Sequence, residues 1–148
     1  MPVSDTKTAV AAWEALFRAQ VSVMRYLTAE FPTGEISLNE YDVLFNLSRQ
    51  PGRQLRLKDL NRHLLLTQPS VSRLVDRLTA RGYLAKSHDK DDARGVIVTL
   101  TDTGFDLFRQ VARSHIESIA RKVGGTLSTE ELERLTVLCD KLRLAEDP

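Results

Sequence analysis

One cysteine, Cys139, stands in the 148 residues, so the chain can close no disulfide on itself, which agrees with a reducing compartment. No apolar run approaches the roughly 20 residues of a membrane span. Met1 to Asp5 carry neither the basic start nor the hydrophobic core of a signal peptide, so the reading is a cytoplasmic protein with no membrane partner. The three histidines, His63, His88 and His115, form no metal-ligand or nucleophile spacing with one another or with Cys139. A glycine-rich phosphate loop is also missing, so no metal, cofactor or catalytic residue is expected and an enzyme is disfavoured. With no internal repeat and no low-complexity stretch, a single domain over 1–148 is the expectation.

Charge is present, but unevenly. The net charge is only +1, yet Arg53 to Gly95 hold ten Lys and Arg against five Asp, leaving the remainder at −4. A phosphate backbone attracts such a basic stretch whatever the base sequence, and the acidic remainder is held away from it. Clustered charge on solvated helices would look the same in composition, so the argument needs the order of elements.

Apolar spacing from about Thr6 to Phe31, through Trp13, Leu16, Phe17, Met24 and Leu27, predicts a first helix. After Pro32 and Gly34, Ser37-Leu38-Asn39-Glu40 reads as a capping box opening a second helix that stops at Pro51-Gly52. Leucines at 57, 60 and 64 mark a short third helix. Thr67-Gln68-Pro69 opens a fourth over 68–82, with either Thr67 or Gln68 as its cap. Val71, Leu74, Val75 and Leu78 make its apolar stripe, and Gly82 follows as a stop. Two strand-forming segments, Tyr83 to His88 and Val96 to Leu100, flank the charged stretch 89–95 and predict a hairpin. Thr101 to Gly104 then caps a helix to about Val123. Ser128-Thr129-Glu130-Glu131 caps a last one whose apolar face carries Leu132, Leu135, Leu138, Cys139 and Leu142.

Four helices, a small β-hairpin wing and two more helices make a mainly α (α+β) chain of winged helix-turn-helix type. Residues 37–101 form the DNA-binding region, with a recognition helix at 68–82 and a wing at 83–100. A recognition helix is held by its apolar face while its leading turn and outer face meet base edges and phosphates. Gln68 suits adenine, the hydroxyls of Ser70 and Ser72 suit either strand, Arg73 suits guanine or a phosphate, and Thr67 is a further candidate for DNA contact. Pro69 and Arg77 lie on the same outer face, Lys58 precedes it on the third helix, and Arg81 lies further along as a phosphate contact. Asp76 is the natural partner of an arginine on its own helix. On the wing, Arg94 is placed to enter a minor groove, with Asp92 orienting its guanidinium. The alternative is that Asp89, Lys90, Asp91, Asp92 and Arg94 together are merely a solvated turn.

These residues resemble the MarR family of bacterial transcription regulators. The resemblance rests on Leu38 to Leu44, on Thr67-Gln68-Pro69-Ser70-Val71-Ser72-Arg73-Leu74-Val75-Asp76-Arg77-Leu78 with Arg81-Gly82-Tyr83-Leu84, and on Asp92-Ala93-Arg94 followed by a strand and Leu100-Thr101. It implies a homodimer joined through helices in 5–36 and 102–148, bound to double-stranded palindromic operator DNA as a repressor and released by a small ligand. Leu107, Phe108, Val111, Ile116 and Ile119 are apolar enough to serve such a bundle. Trp13, Phe17, Tyr41, Phe45 and His115 are the candidates for holding an effector, aromatic or phenolic in kind. Some relatives sense peroxide through a cysteine near the N-terminus, which this chain lacks; Cys139 reads as a small core hydrophobe before a redox sensor. The rival reading is a winged-helix protein adaptor without specific DNA binding, which has no need of Arg73, Arg77 and Arg94 on one surface.

Overall fold

The computed structural model describes residues 5–32 and 34–147; Met1 to Ser4, on which the reading of the N-terminus partly rests, lie outside the described residues. Its elements are α1 (Thr6–Glu30), α2 (Leu38–Ser48), β1 (Gln54–Arg56), α3 (Leu57–Arg62), α4 (Gln68–Ala80), β2 (Leu84–His88), β3 (Val96–Leu100), α5 (Asp102–Ile119) and α6 (Thr129–Leu144). The chain is mainly helical with one small antiparallel sheet, the class expected from the sequence. Where the sequence suggests one domain, its contacts form two compact units: residues 31–114, and the two chain ends through 30 and from 115.

In the middle unit, Val43, Leu44, Leu47, Leu60, Val71, Val75, Leu78 and Val98 are fully buried at 0% exposure. Burial of each such side chain contributes about 1.5–3 kcal/mol, so this set dominates the stability of the unit. The capping box at the start of α2 is formed: Glu40 N–H donates to Ser37 Oγ at 3.1 Å, and Ser37 N–H donates to Glu40 Oε1 at 3.0 Å. The hairpin gains a strand that the sequence reading lacks. The strand order is β1-β3-β2, with Leu55 opposite Val98 and Lys86 also opposite Val98 from the other side. Three residues were too few to show alternation, and the Pro51-Gly52 break beside them reads as loop. The break itself is a short 3₁₀ turn in which Gly52 (φ 67°) and Arg53 (φ 54°) are both left-handed. The third helix is shorter than expected, ending at Arg62 rather than Leu64.

Gly82 (φ +83°) closes α4: Tyr83 N–H reaches the Leu78 carbonyl at 3.0 Å, which turns the chain into β2. Thr101 binds the same corner, its hydroxyl donating to the Gly82 carbonyl at 2.7 Å and its N–H to the Tyr83 carbonyl at 3.1 Å. It also accepts from Gly104 N–H at 3.0 Å, which caps α5.

In the terminal unit, Lys122 Nζ lies 5.6 Å from the Tyr26 ring centroid and Arg121 pairs with Glu30 at 3.8 Å. After Ile119 the backbone widens into a π turn over Ala120–Gly124. α6 starts on the expected capping box of Ser128 and Glu131.

The joint between the α4 corner and α5 predicts one severe substitution. A Cβ on Gly104 would lie 2.1 Å from the Tyr83 carbonyl oxygen. Gly104→Ala should therefore lower the urea midpoint by an amount worth about 1–3 kcal/mol. An unchanged midpoint would mean that α5 can move off the corner freely.

Candidate nucleic-acid interface

The leading turn of α4 is organised by Thr67, not Gln68: the Thr67 side chain accepts from Ser70 N–H at 3.3 Å, which leaves Gln68 and Pro69 as the first helical residues. The Thr67 hydroxyl donates to Ser70 Oγ at 2.9 Å, and Arg73 Nη2 donates to the same oxygen at 3.2 Å. Behind this turn Val71, Leu74, Val75 and Leu78 are buried, while Gln68, Pro69, Arg73 and Arg77 are exposed. A stripe repeating every three to four residues thus turns the polar face outward. The helix runs to Ala80, two residues short of the expected end, because Arg81 is its C-cap.

At the wing, Asp92 holds the turn rather than the guanidinium. Its Oδ1 accepts from Arg94 backbone N–H at 3.0 Å and its carbonyl accepts from Gly95 N–H at 2.8 Å. The expectation that Asp92 orients the Arg94 side chain is corrected to that extent: an aspartate two residues before an amide closes a small ring with the backbone more readily than with a long side chain. Asp89, read from sequence as part of a solvated turn, is buried at 6% and ion-paired with Arg56 at 2.7 Å.

Ion pairs sort the basic stretch into two groups. Arg53 pairs with Asp102, Arg56 with Asp89, Arg62 with Asp59, Arg81 with Glu35 and Lys86 with Asp76. Two expectations change here. Arg81 donates to the Glu35 carbonyl at 2.6 Å and its guanidinium stands over the Tyr83 ring at 5.0 Å, so it is committed to the fold rather than to a phosphate. Asp76 reaches Lys86 on β2 instead of an arginine of its own helix. Among the described residues Lys58, Arg73, Arg77, Lys90 and Arg94 have no ion-pair partner. Solvated, uncommitted cations of this kind release counterions from a polyanion when they bind it.

Five of the expected residues line one groove of about 270 Å³: Lys58 from α3, Gln68 and Ser72 from α4, and Asp92 and Arg94 from the wing. Arg56 and Asn61 line it too, and sequence reasoning passed over both. Asn61 follows Lys58 by three residues on α3, so a helical wheel would have put them side by side. For Arg56 no sequence signal existed, since β1 itself was not visible.

The candidates for an effector divide between the units. Trp13 and Phe17 on α1 have rings 5.7 Å apart and are exposed at 59% and 50%. Tyr41 is buried in the middle unit, edge-on to Phe31 at 5.6 Å, stacked on Phe108 at 5.3 Å and 6.5 Å from Phe45. His115 is buried in the terminal unit, and burial pushes its pKa down, so the imidazole is neutral at pH 7. Next to Tyr41, burial pushes the Asp42 carboxyl up to about 6. Cys139 is half-buried on α6.

A recognition helix and a wing sharing one groove define a winged helix-turn-helix protein. Residues 35–95 match the model of the MarR family. The chain is 27% identical over 128 residues to the helix-turn-helix transcriptional regulator PecS of Dickeya dadantii, which covers 86% of this chain and 76% of PecS. A further such regulator, 34% identical over 86 residues, is spanned over only 55% of its length. Among solved structures, Sco3205 of Streptomyces coelicolor, a MarR family transcriptional regulator in complex with DNA, superposes with a TM-score of 0.78 at 23% identity, covering 100% of this chain and 93% of that one. BpsR of Bordetella bronchiseptica, whose DNA binding is regulated by 6-hydroxynicotinic acid, superposes with a TM-score of 0.73 at 28% identity over 90% and 93% of the two chains. Over residues 35–95 the chain is thus similar to the MarR family, and it shares its fold with solved MarR family regulators.

Asp42 makes stability depend on pH. Its folded pKa of about 6 lies above the ordinary carboxylate value near 4, so the fold prefers the protonated acid. That preference is fully present below about pH 4 and is lost as pH rises through 6. Asp42→Asn should remove the dependence and raise stability at pH 7 by roughly 1–2 kcal/mol, read from denaturant midpoints at pH 4.5 and 7. A variant less stable than the wild type at pH 7 would contradict it.

Proposed function

We propose that this protein is a homodimeric repressor that reads an inverted repeat in duplex DNA and leaves it when a small aromatic or phenolic ligand binds. The observation that carries the reading is the groove in which Lys58, Gln68, Ser72 and Arg94 meet without a carboxylate paired to either cation. The leading turn of α4 enters the major groove, with Gln68, Ser70, Ser72 and Arg73 against base edges and Thr67, Lys58 and Arg77 toward phosphates. Arg94 enters the adjoining minor groove, and Asp92 and Pro69 shape the two approaches. A protein adaptor with the same fold would gain nothing from leaving these cations uncommitted.

The dimer rests on a different observation. Val10, Trp13, Phe17, Val21 and Met24 repeat at three- and four-residue intervals along α1 and are 39–59% exposed. On α6, Leu135, Leu138 and Leu142 are 41–65% exposed. So much contiguous apolar surface is costly in water, and a second copy covers it with a surface of matching kind. The ligand class follows from these aromatic side chains and from the similarity to BpsR.

Selection of bound sequences from random duplex DNA should return an inverted repeat with half-sites about one turn, roughly 34 Å, apart. Arg73→Ala should cost about 1–3 kcal/mol and relax the choice at one position in each half-site, whereas Arg77→Ala should weaken all sequences alike and flatten the salt dependence. Affinity that does not fall as salt rises would support the adaptor. A stable monomer in sedimentation at working concentration would remove the dimer.

A further inference from the structure

The tip of the wing is small and self-contained. Its bonds are local: Asp91 N–H to Asp89 Oδ1 at 3.0 Å, Arg94 N–H to Asp92 Oδ1 at 3.0 Å, and Asp89 N–H to the Gly95 carbonyl at 3.0 Å. Residues 90–94 are all exposed, so no packing fixes the direction in which Arg94 points. What fixes it must act at the root. Arg56 is the last residue of β1 and the N-cap of α3, and it faces Ile97 on β3. Its Nε reaches the far side of the sheet to Asp89 Oδ2 at 2.7 Å.

A second ion pair, Lys86 with Asp76, also ties the hairpin to the helix-turn-helix, and exposure decides between them. Asp76 and Lys86 side chains are 61% and 39% exposed, so water and salt screen their attraction. The Asp89 side chain is only 5% exposed, so water and salt screen its attraction to Arg56 far less. Gly95 seals the site, since a Cβ there would lie 2.9 Å from Asp89 Cβ.

We propose that the Arg56–Asp89 ion pair is a latch holding the wing at a set distance from α4, making Arg56 and Asp89 positioning residues for the minor-groove reader Arg94. The proposal rests on the DNA-binding reading above and goes beyond it by giving an acidic residue on the DNA-facing side a positive role. Without the latch, Arg94 would sample many approaches and lose ordering entropy on binding.

Asp89→Asn tests this, because asparagine keeps the size and an acceptor for Asp91 N–H while removing the charge. Loss of a negative charge near a site that holds a polyanion by itself tightens binding. The latch predicts the opposite: selected duplex should bind about tenfold more weakly. The double variant Asp89→Asn/Arg94→Ala should be no weaker than Arg94→Ala alone, since the two act as one unit. Arg56→Gln should behave like Asp89→Asn, and Arg56→Lys should restore most of the affinity, which controls for general loss of fold. Unchanged or tighter binding by Asp89→Asn, or additive losses in the double variant, would overturn the latch. Amide hydrogen exchange in the protein without DNA separates this from the reading it rests on. Exchange at Asp89 and Gly95 should speed about tenfold in Asp89→Asn, and unchanged exchange overturns the latch. Wild-type protein that binds no duplex would instead overturn the DNA-binding reading, leaving the exchange result to decide the latch.

Discussion

The outer face of α4 is exposed because its inner face is held. Val71, Leu74, Val75 and Leu78, at 0–6% exposure, press into a core shared with α2, α3 and the sheet. Four burials of this size outweigh the modest helix propensity of Ser, Val and Thr along the segment. Everything polar on the helix is thereby turned outward at once, and the cap on Thr67 sets where the leading turn begins. Corner contacts through Gly82, Thr101 and Gly104 then fix where the wing leaves the helix and where α5 starts.

Charge in this protein has two uses that composition cannot separate. A basic stretch of ten Lys and Arg looks like one electrostatic footprint. Half of it is spent inside the fold, where Arg53, Arg56 and Arg81 join segments distant in sequence and Lys86 joins β2 to α4. Arg53 also stands 3.6 Å above the Phe105 ring, so its role is packing as much as charge. The cations left over are Lys58 and Arg94 on the groove, Arg73 and Arg77 on the outer face of α4, and Lys90 at the wing tip. The cations free to meet a polyanion are therefore fewer than a count suggests, which makes each of them matter more.

The terminal helices follow a different logic. In the middle unit the apolar residues find partners within the chain, whereas in α1 and α6 regular apolar stripes stay exposed. A helix with a clean stripe and no cover is stable in water only when the stripe is shared. Those stripes are the surfaces that the proposed self-association would cover.

Much was legible from neighbours in sequence. Helices, both Ser-x-x-Glu capping boxes, the hairpin and the Thr-Gln-Pro start of α4 depend on interactions between residues two to four apart, and such signals survive in a linear string. The outer face of α4 with Ser72 and its leading end with Gln68 were legible in the same way, whereas only the packing of α3, α4 and the wing brought Lys58 and Arg94 beside them. The strand β1 escaped because three residues cannot show a period, and with it went Arg56. The partners of Asp76, Arg81 and Asp89 escaped for a related reason. Glu35 and Arg81 are 46 residues apart, and Arg53 and Asp102 are 49 apart. Any acid can pair with any base until the backbone brings two together, so the sequence by itself determined which surfaces exist, and only the tertiary structure decided which charges remain free to use them.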